Sequence, residues 1–131
     1  MIPKDLDIRA LFVEGNRKGW GKAYEFDVLV VTEILGWREI RYSDSHPMGR
    51  TCDGCSWRTV GSYRQPGWDY EVLQHMRNSR DPGELQAFYA ELEAAWELRG
   101  LEFDLVPLAC RYIPGDYSLA ALIAKQKRSH T

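Results

Sequence analysis

A chain of 131 residues with 44% hydrophobic and 27% charged side chains has the length and composition of one globular domain, which excludes global disorder. Its formal net charge of -2 gives no overall attraction for nucleic acid or anionic lipid, so either partner would need a local basic patch. The longest apolar runs fall far short of the roughly 20 residues that span a bilayer, and three cysteines with no leader-like apolar run predict a cytoplasmic protein without a membrane partner.

Residues 8–13 read as a first strand, apolar on both faces, which ends at the glycine-rich loop 15–21. That loop is not a phosphate loop, because no Gly-Lys-Ser/Thr follows its glycines. From Lys22 to Thr32, Tyr24, Phe26, Val28 and Val30 alternate with Glu25 and Asp27, and Leu29 and Val31 then make the second face apolar as well. This is the pattern of a central strand. Trp37–Tyr42 reads as its antiparallel return after a turn at Glu33–Gly36. Trp57–Arg64 reads as a further strand, with Gly61 marking a bulge.

After the break at Gln65-Pro66-Gly67, Asp69 is placed to cap a short helix that carries Val72, Leu73 and Met76 inward. Asp81-Pro82-Gly83-Glu84 supplies an N-cap, a proline at the first helical position and an acid in the first turn. A helix is predicted from there to about Arg99, with Gly100 as its stop. Leu85, Phe88, Tyr89, Leu92, Trp96 and Arg99 fall on one stripe, the face expected to meet the sheet. Ala87, Ala90 and Ala94, with Leu98, lie opposite as a low-relief surface that a partner could approach and that alanine's helix propensity explains equally well. Residues 102–112 return to strand-like alternation, with Pro107 demoting them to an edge. Pro114-Gly115-Asp116 then caps a last helix with Leu119, Leu122 and Ile123 inward. These elements predict one α+β domain over residues 1–131, strand-rich to 65 and helix-rich from 66. Its sheet would be largely antiparallel with four to five strands, and two to three helices would pack on one face.

Three constellations carry chemistry. Cys52 and Cys55 around Gly54 can grip a structural zinc ion if His46 and His75 complete the tetrahedron, with Cys110 as a substitute ligand. The same pair reads as a redox couple only weakly, since strand-like sequence follows it and no helix N-terminus lowers the thiol pKa. Two reduced cysteines in an ordinary turn explain the motif as well. Glu25 and Asp27 share a face of the predicted strand and offer a carboxylate pair, although half-solvated strands commonly carry such residues.

The third constellation is basic and aromatic: Arg38, Arg41, Arg50, Arg58 and Arg64 interleave with Tyr42, Trp57, Tyr63 and Trp68. Arginine holds phosphates in a bidentate grip and aromatic rings stack bases, while exposed Trp, Tyr and Arg are equally the residues enriched at protein–protein hot spots. The expected partner-binding set is Arg38, Arg41, Arg50, Trp57, Arg58, Arg64 and Trp68. The expected function is a small non-enzymatic module with a protein partner, of the size and catalytic silence associated with phage or mobile-element proteins that block a host defence complex. The alternatives are a zinc-clipped nucleic-acid or nucleotide binder using the same arginine–aromatic surface, and a small cysteine-dependent enzyme.

Overall fold

Asp7 opens the first helix. Its Oδ1 accepts the Ala10 N–H at 3.0 Å, satisfying one of the donors that a helix start leaves free. Helix α1 runs over Ile8–Arg17 and turns Ile8, Leu11 and Phe12 to the core. The computed structural model describes residues 2–17, 20–43, 46–51, 56–102 and 112–130. Helix α2 covers Trp20–Glu33, and strands β1 (Arg38–Ser43), β2 (His46–Arg50) and β3 (Trp57–Thr59) follow. Helices α3 (Pro66–Arg77), α4 (Pro82–Glu102) and α5 (Asp116–Ser129) complete the described chain.

The described residues thus form an α+β fold of five helices and one three-stranded antiparallel sheet in the order β1-β2-β3. This corrects the expected four to five strands with two to three helices on one face. The segments 8–13 and 22–32, expected as strands, are α1 and α2. In α2 the buried side chains are Tyr24, Phe26, Asp27, Val30 and Val31, spaced by three, four and seven residues as a helix face requires. The β-branched run Val28, Val30, Val31 and Thr32 favours a strand on propensity alone. Such residues cost a helix only about 0.5 kcal/mol each, whereas burying a large apolar side chain contributes about 1.5–3 kcal/mol, so packing decides.

Other boundaries shift for similar reasons. The strand expected over 57–64 is three residues long, because the chain leaves the sheet where Val60 enters the core. Asp69 does not cap α3, whose N-cap is Gln65. Helix α4 continues past Gly100 to Glu102. Of the strand read over 102–112, residues 103–111 lie outside the described residues.

Helix α5 is the axis of the helical body. It packs on α4, α3, α1 and α2, and Asp116, Ser118 and Ala120–Ala124 are all buried, as expected of a helix enclosed on most sides. Gly115 at its N-cap has φ 103°, and a Cβ there would stand 2.5 Å from Phe12 Cε2. Both the backbone region and the space therefore demand glycine. At its other end Gln126 Nε2 donates to Pro3 O at 2.7 Å and to Leu6 O at 2.8 Å, and His130 Nε2 lies 2.8 Å from Ile2 O. The last helix thereby holds the first residues, and one hydrophobic cluster extends from Ile2 to Ile123.

Tyr63 is fully buried in that cluster, its ring edge-on to Trp68 with centroids 5.9 Å apart. Among the described residues its hydroxyl is the buried side-chain polar atom without a hydrogen-bond partner, and burial pushes the phenol pKa well up. An unpaired buried polar group carries a desolvation penalty of about 1–3 kcal/mol. Tyr63→Phe is therefore expected to hold stability or raise it by about 1 kcal/mol in urea melts. A loss of that size instead would show that the hydroxyl is satisfied.

Candidate interaction surface

Sheet register sorts the arginines. Arg50 faces Trp57 and Met48 faces Thr59 across β2 and β3, while Arg41 faces Met48 across β1 and β2. Opposed residues, and residues two apart on one strand, share a face, so Arg41, Met48, Arg50, Trp57 and Thr59 lie together with His46. The alternate positions Pro47 and Gly49 are buried, which makes the arginine face the outward one. Gly49 suits that inner position, since a Cβ would meet Ile40 Cδ1 at 2.6 Å.

On the outward face the guanidinium groups of Arg41 and Arg50 both stand over the Trp57 ring, 5.3 and 4.8 Å from its centroid. Trp57 is 38% exposed. Arg50 Nε also donates to Glu39 Oε2 at 2.6 Å. Glu39 has φ 54° and sits where the β1–β2 register shifts between Arg38 and Arg41. A side chain in that left-handed region costs about 1–2 kcal/mol, and such irregularities re-aim side chains along a strand. Here the shift leaves Arg38 directly opposite Arg50.

Arg58 is paired with Gly49 and so belongs to the other face of β3. Its guanidinium lies over Trp37 at 5.5 Å and over Trp68 at 5.4 Å, and it pairs with Glu71 of α3 at 3.6 Å. Arg64 is internal, its side chain only 10% exposed. Arg64 Nε and Nη2 donate to Phe12 O at 3.0 and 2.9 Å, with Asp27 Oδ2 3.7 Å away, and burial lowers its pKa. Trp68 packs against the core. Of the expected partner-binding set, the structure therefore gathers Arg38, Arg41, Arg50, Trp57 and Arg58 on or beside the sheet, and uses Arg64 and Trp68 to hold the fold.

The remaining candidates are dispersed. Cys52 and Cys55 lie outside the described residues, as does Cys110. His46 is exposed on β2, where its Nδ1 shares a 2.6 Å hydrogen bond with the Tyr24 hydroxyl. His75 is exposed on α3, in a cleft with Glu33, Glu84, Lys125 and Arg128. Among the described residues no three His, Asp or Glu side chains gather as a metal-ligating group. Glu25 is exposed and Asp27 buried, so the helix separates the two carboxylates that a strand would have paired. No helix among the described residues is long and apolar enough to cross a membrane.

No family model, curated protein or solved structure matches this chain. What the surface can do follows from its own chemistry. Among the described residues on or beside the sheet, Arg38, Arg41, Arg50 and Arg58 outnumber the acids Glu39 and Glu71, which pair with Arg50 and Arg58. A guanidinium stacked on an indole has already lost much of its rotamer freedom, so a carboxylate or phosphate that approaches Arg41 meets a preorganised fork. Neither Glu39 nor Glu71 stands out in the sequence, because their partners lie across a strand pair and on another element.

Proposed function

We propose that the chain is a non-catalytic interaction module that docks an acidic surface of a protein partner on the outward face of its sheet. An inhibitor or adaptor of the kind used by phage and other mobile elements against a host complex fits this reading. The observation that supports it is the exposed Trp57 with two guanidinium groups stacked on its ring. With the ring's π-surface engaged, a nucleobase would have to displace an arginine before stacking. A carboxylate can meet the Arg41 guanidinium without moving it off the ring, and this favours a protein partner over single-stranded nucleic acid. The overall negative charge favours it too.

Trp57→Ala is expected to weaken partner capture by roughly 30-fold, about 2 kcal/mol, as hot-spot truncations do. Its melting temperature should stay close to that of the parent, since the ring is outside the core. Arg50→Glu should reduce capture further, and salt should weaken it. The measurement is affinity capture from cell extract with the partner identified by mass spectrometry, followed by titration. A partner held equally by both variants would overturn the reading, and a salt-sensitive shift with single-stranded oligonucleotide in place of protein capture would favour the nucleic-acid alternative.

A further inference from the structure

A surface of opposite charge lies among the helices. Helices α3, α4 and the start of α5 enclose an open groove of about 740 Å³, with Leu92, Trp96 and Tyr117 on its floor and Tyr89, Glu93 and Glu97 at its exposed rim. Its volume is within the roughly 300–1,000 Å³ typical of ligand pockets. The α4 residues recur at three- and four-residue steps from Tyr89 to Glu97, so the groove follows that helix for about 12 Å. It is preformed: Trp96 Nε1 donates to Asp116 Oδ2 at 3.0 Å, and the Tyr117 ring stacks on Tyr112 with centroids 4.9 Å apart.

Among the described residues that line the groove, two acids, Glu93 and Glu97, stand against one base, Arg77. Glu93 and Glu97 stand one turn apart on one helix face, a spacing at which like charges repel, and neither carries an ion pair or side-chain hydrogen bond among the described residues. Aromatic faces and carboxylates both attract ammonium and guanidinium groups, while the same acids repel phosphate and anionic headgroups. Tyr89, 43% exposed, offers apolar area to the same occupant.

We propose that this groove binds a basic amphipathic segment of a protein partner. Its apolar side chains rest on Leu92, Trp96 and Tyr117, and a lysine or arginine sits between Glu93 and Glu97, in the helix-in-groove mode. The proposal does not rest on the sheet reading, because it uses different elements and the opposite charge. If both hold, the chain joins an acidic partner surface to a basic one.

The test is titration of the isotope-labelled full chain, followed by NMR, with a leucine–lysine amphipathic peptide of roughly 15 residues, long enough to form a helix, and with its leucine–glutamate counterpart. The lysine peptide is expected to bind saturably and to move the Tyr89 and Trp96 signals. Binding should fall by ~10-fold or more in the Glu93→Lys, Glu97→Lys double variant. The glutamate peptide should not bind. The neutral pair Glu93→Gln, Glu97→Gln should give an intermediate loss, and keeps the test open if charge reversal disturbs folding. Equal binding of both peptides, signals that move on the sheet instead, or indifference to the substitutions would overturn the proposal. Concentration-dependent self-association abolished by Arg50→Glu would also overturn it, by making a second copy the occupant.

Discussion

Replacing Asp69 with alanine is expected to destabilise the protein by about 4 kcal/mol, the range seen when a buried charge network loses its central member. Asp69 is fully buried on α3. Its Oδ1 accepts from Ser118 N at 2.8 Å and Ser118 Oγ at 2.7 Å, and its Oδ2 from Tyr112 Oη at 2.6 Å, Gly115 N at 2.9 Å and Tyr117 N at 3.3 Å. The N-cap of α5 is a glycine with no side chain to offer, so a carboxylate from another helix does the capping. Alanine would strand buried N–H donors at the start of the helix around which the body is packed. Asp69→Asn keeps one acceptor but turns an amide N–H₂ toward donors, and should cost less than alanine. Tyr112→Phe removes a single donor and should cost about 1 kcal/mol. Urea melts of the three variants should give that order, and an alanine variant within about 1 kcal/mol of the parent would show that α5 is not held from α3.

The same residue shows what the sequence could disclose. Asp69 follows a Pro-Gly break, so local rules make it the cap of its own helix, while its actual partners are 43 to 49 residues away. Asp27 likewise reads as the polar side of a strand, and its backbone partner Tyr63 is 36 residues distant. Signals confined to a few neighbours hold: Asp81 Oδ1 accepts from Gly83 N and Glu84 N at the start of α4. The segment 37–42 is extended over most of its length, but its antiparallel partner is β2 and not the segment 22–32. The arginine–aromatic interleaving is visible in the sequence too. Its division into an outward set around Trp57 and an inward Arg64 is not, since that depends on register and on where β3 ends. Helices α1 and α2 escape the sequence reading because alternating and helical spacing coincide over short apolar runs rich in valine.

Asp27 gives the chain a second large expected effect, on the pH dependence of stability. Burial raises its carboxyl pKa from 3.8 to about 6, against the lowering pull of the Tyr63 N–H at 2.9 Å and of the Arg64 guanidinium. The native state therefore holds this proton more tightly than the unfolded chain, and folding takes it up between about pH 4 and 6. The stabilisation from the protonated group is fully present below 3.8 and is lost as pH rises through about 6. A shift of this size corresponds to about 3 kcal/mol. The amide of an Asp27→Asn variant cannot ionise, so the variant should gain on the parent by about that amount between roughly pH 4 and 7, whatever constant offset the altered contact with Arg64 introduces. Burial raises the Asp69 pKa as well, but Asp69 is present in both proteins and cancels in the comparison. Urea melts at intervals across this range measure the difference directly. A difference that stays flat with pH would mean that Arg64 offsets the burial of Asp27 in full and that the pair stays ionised throughout.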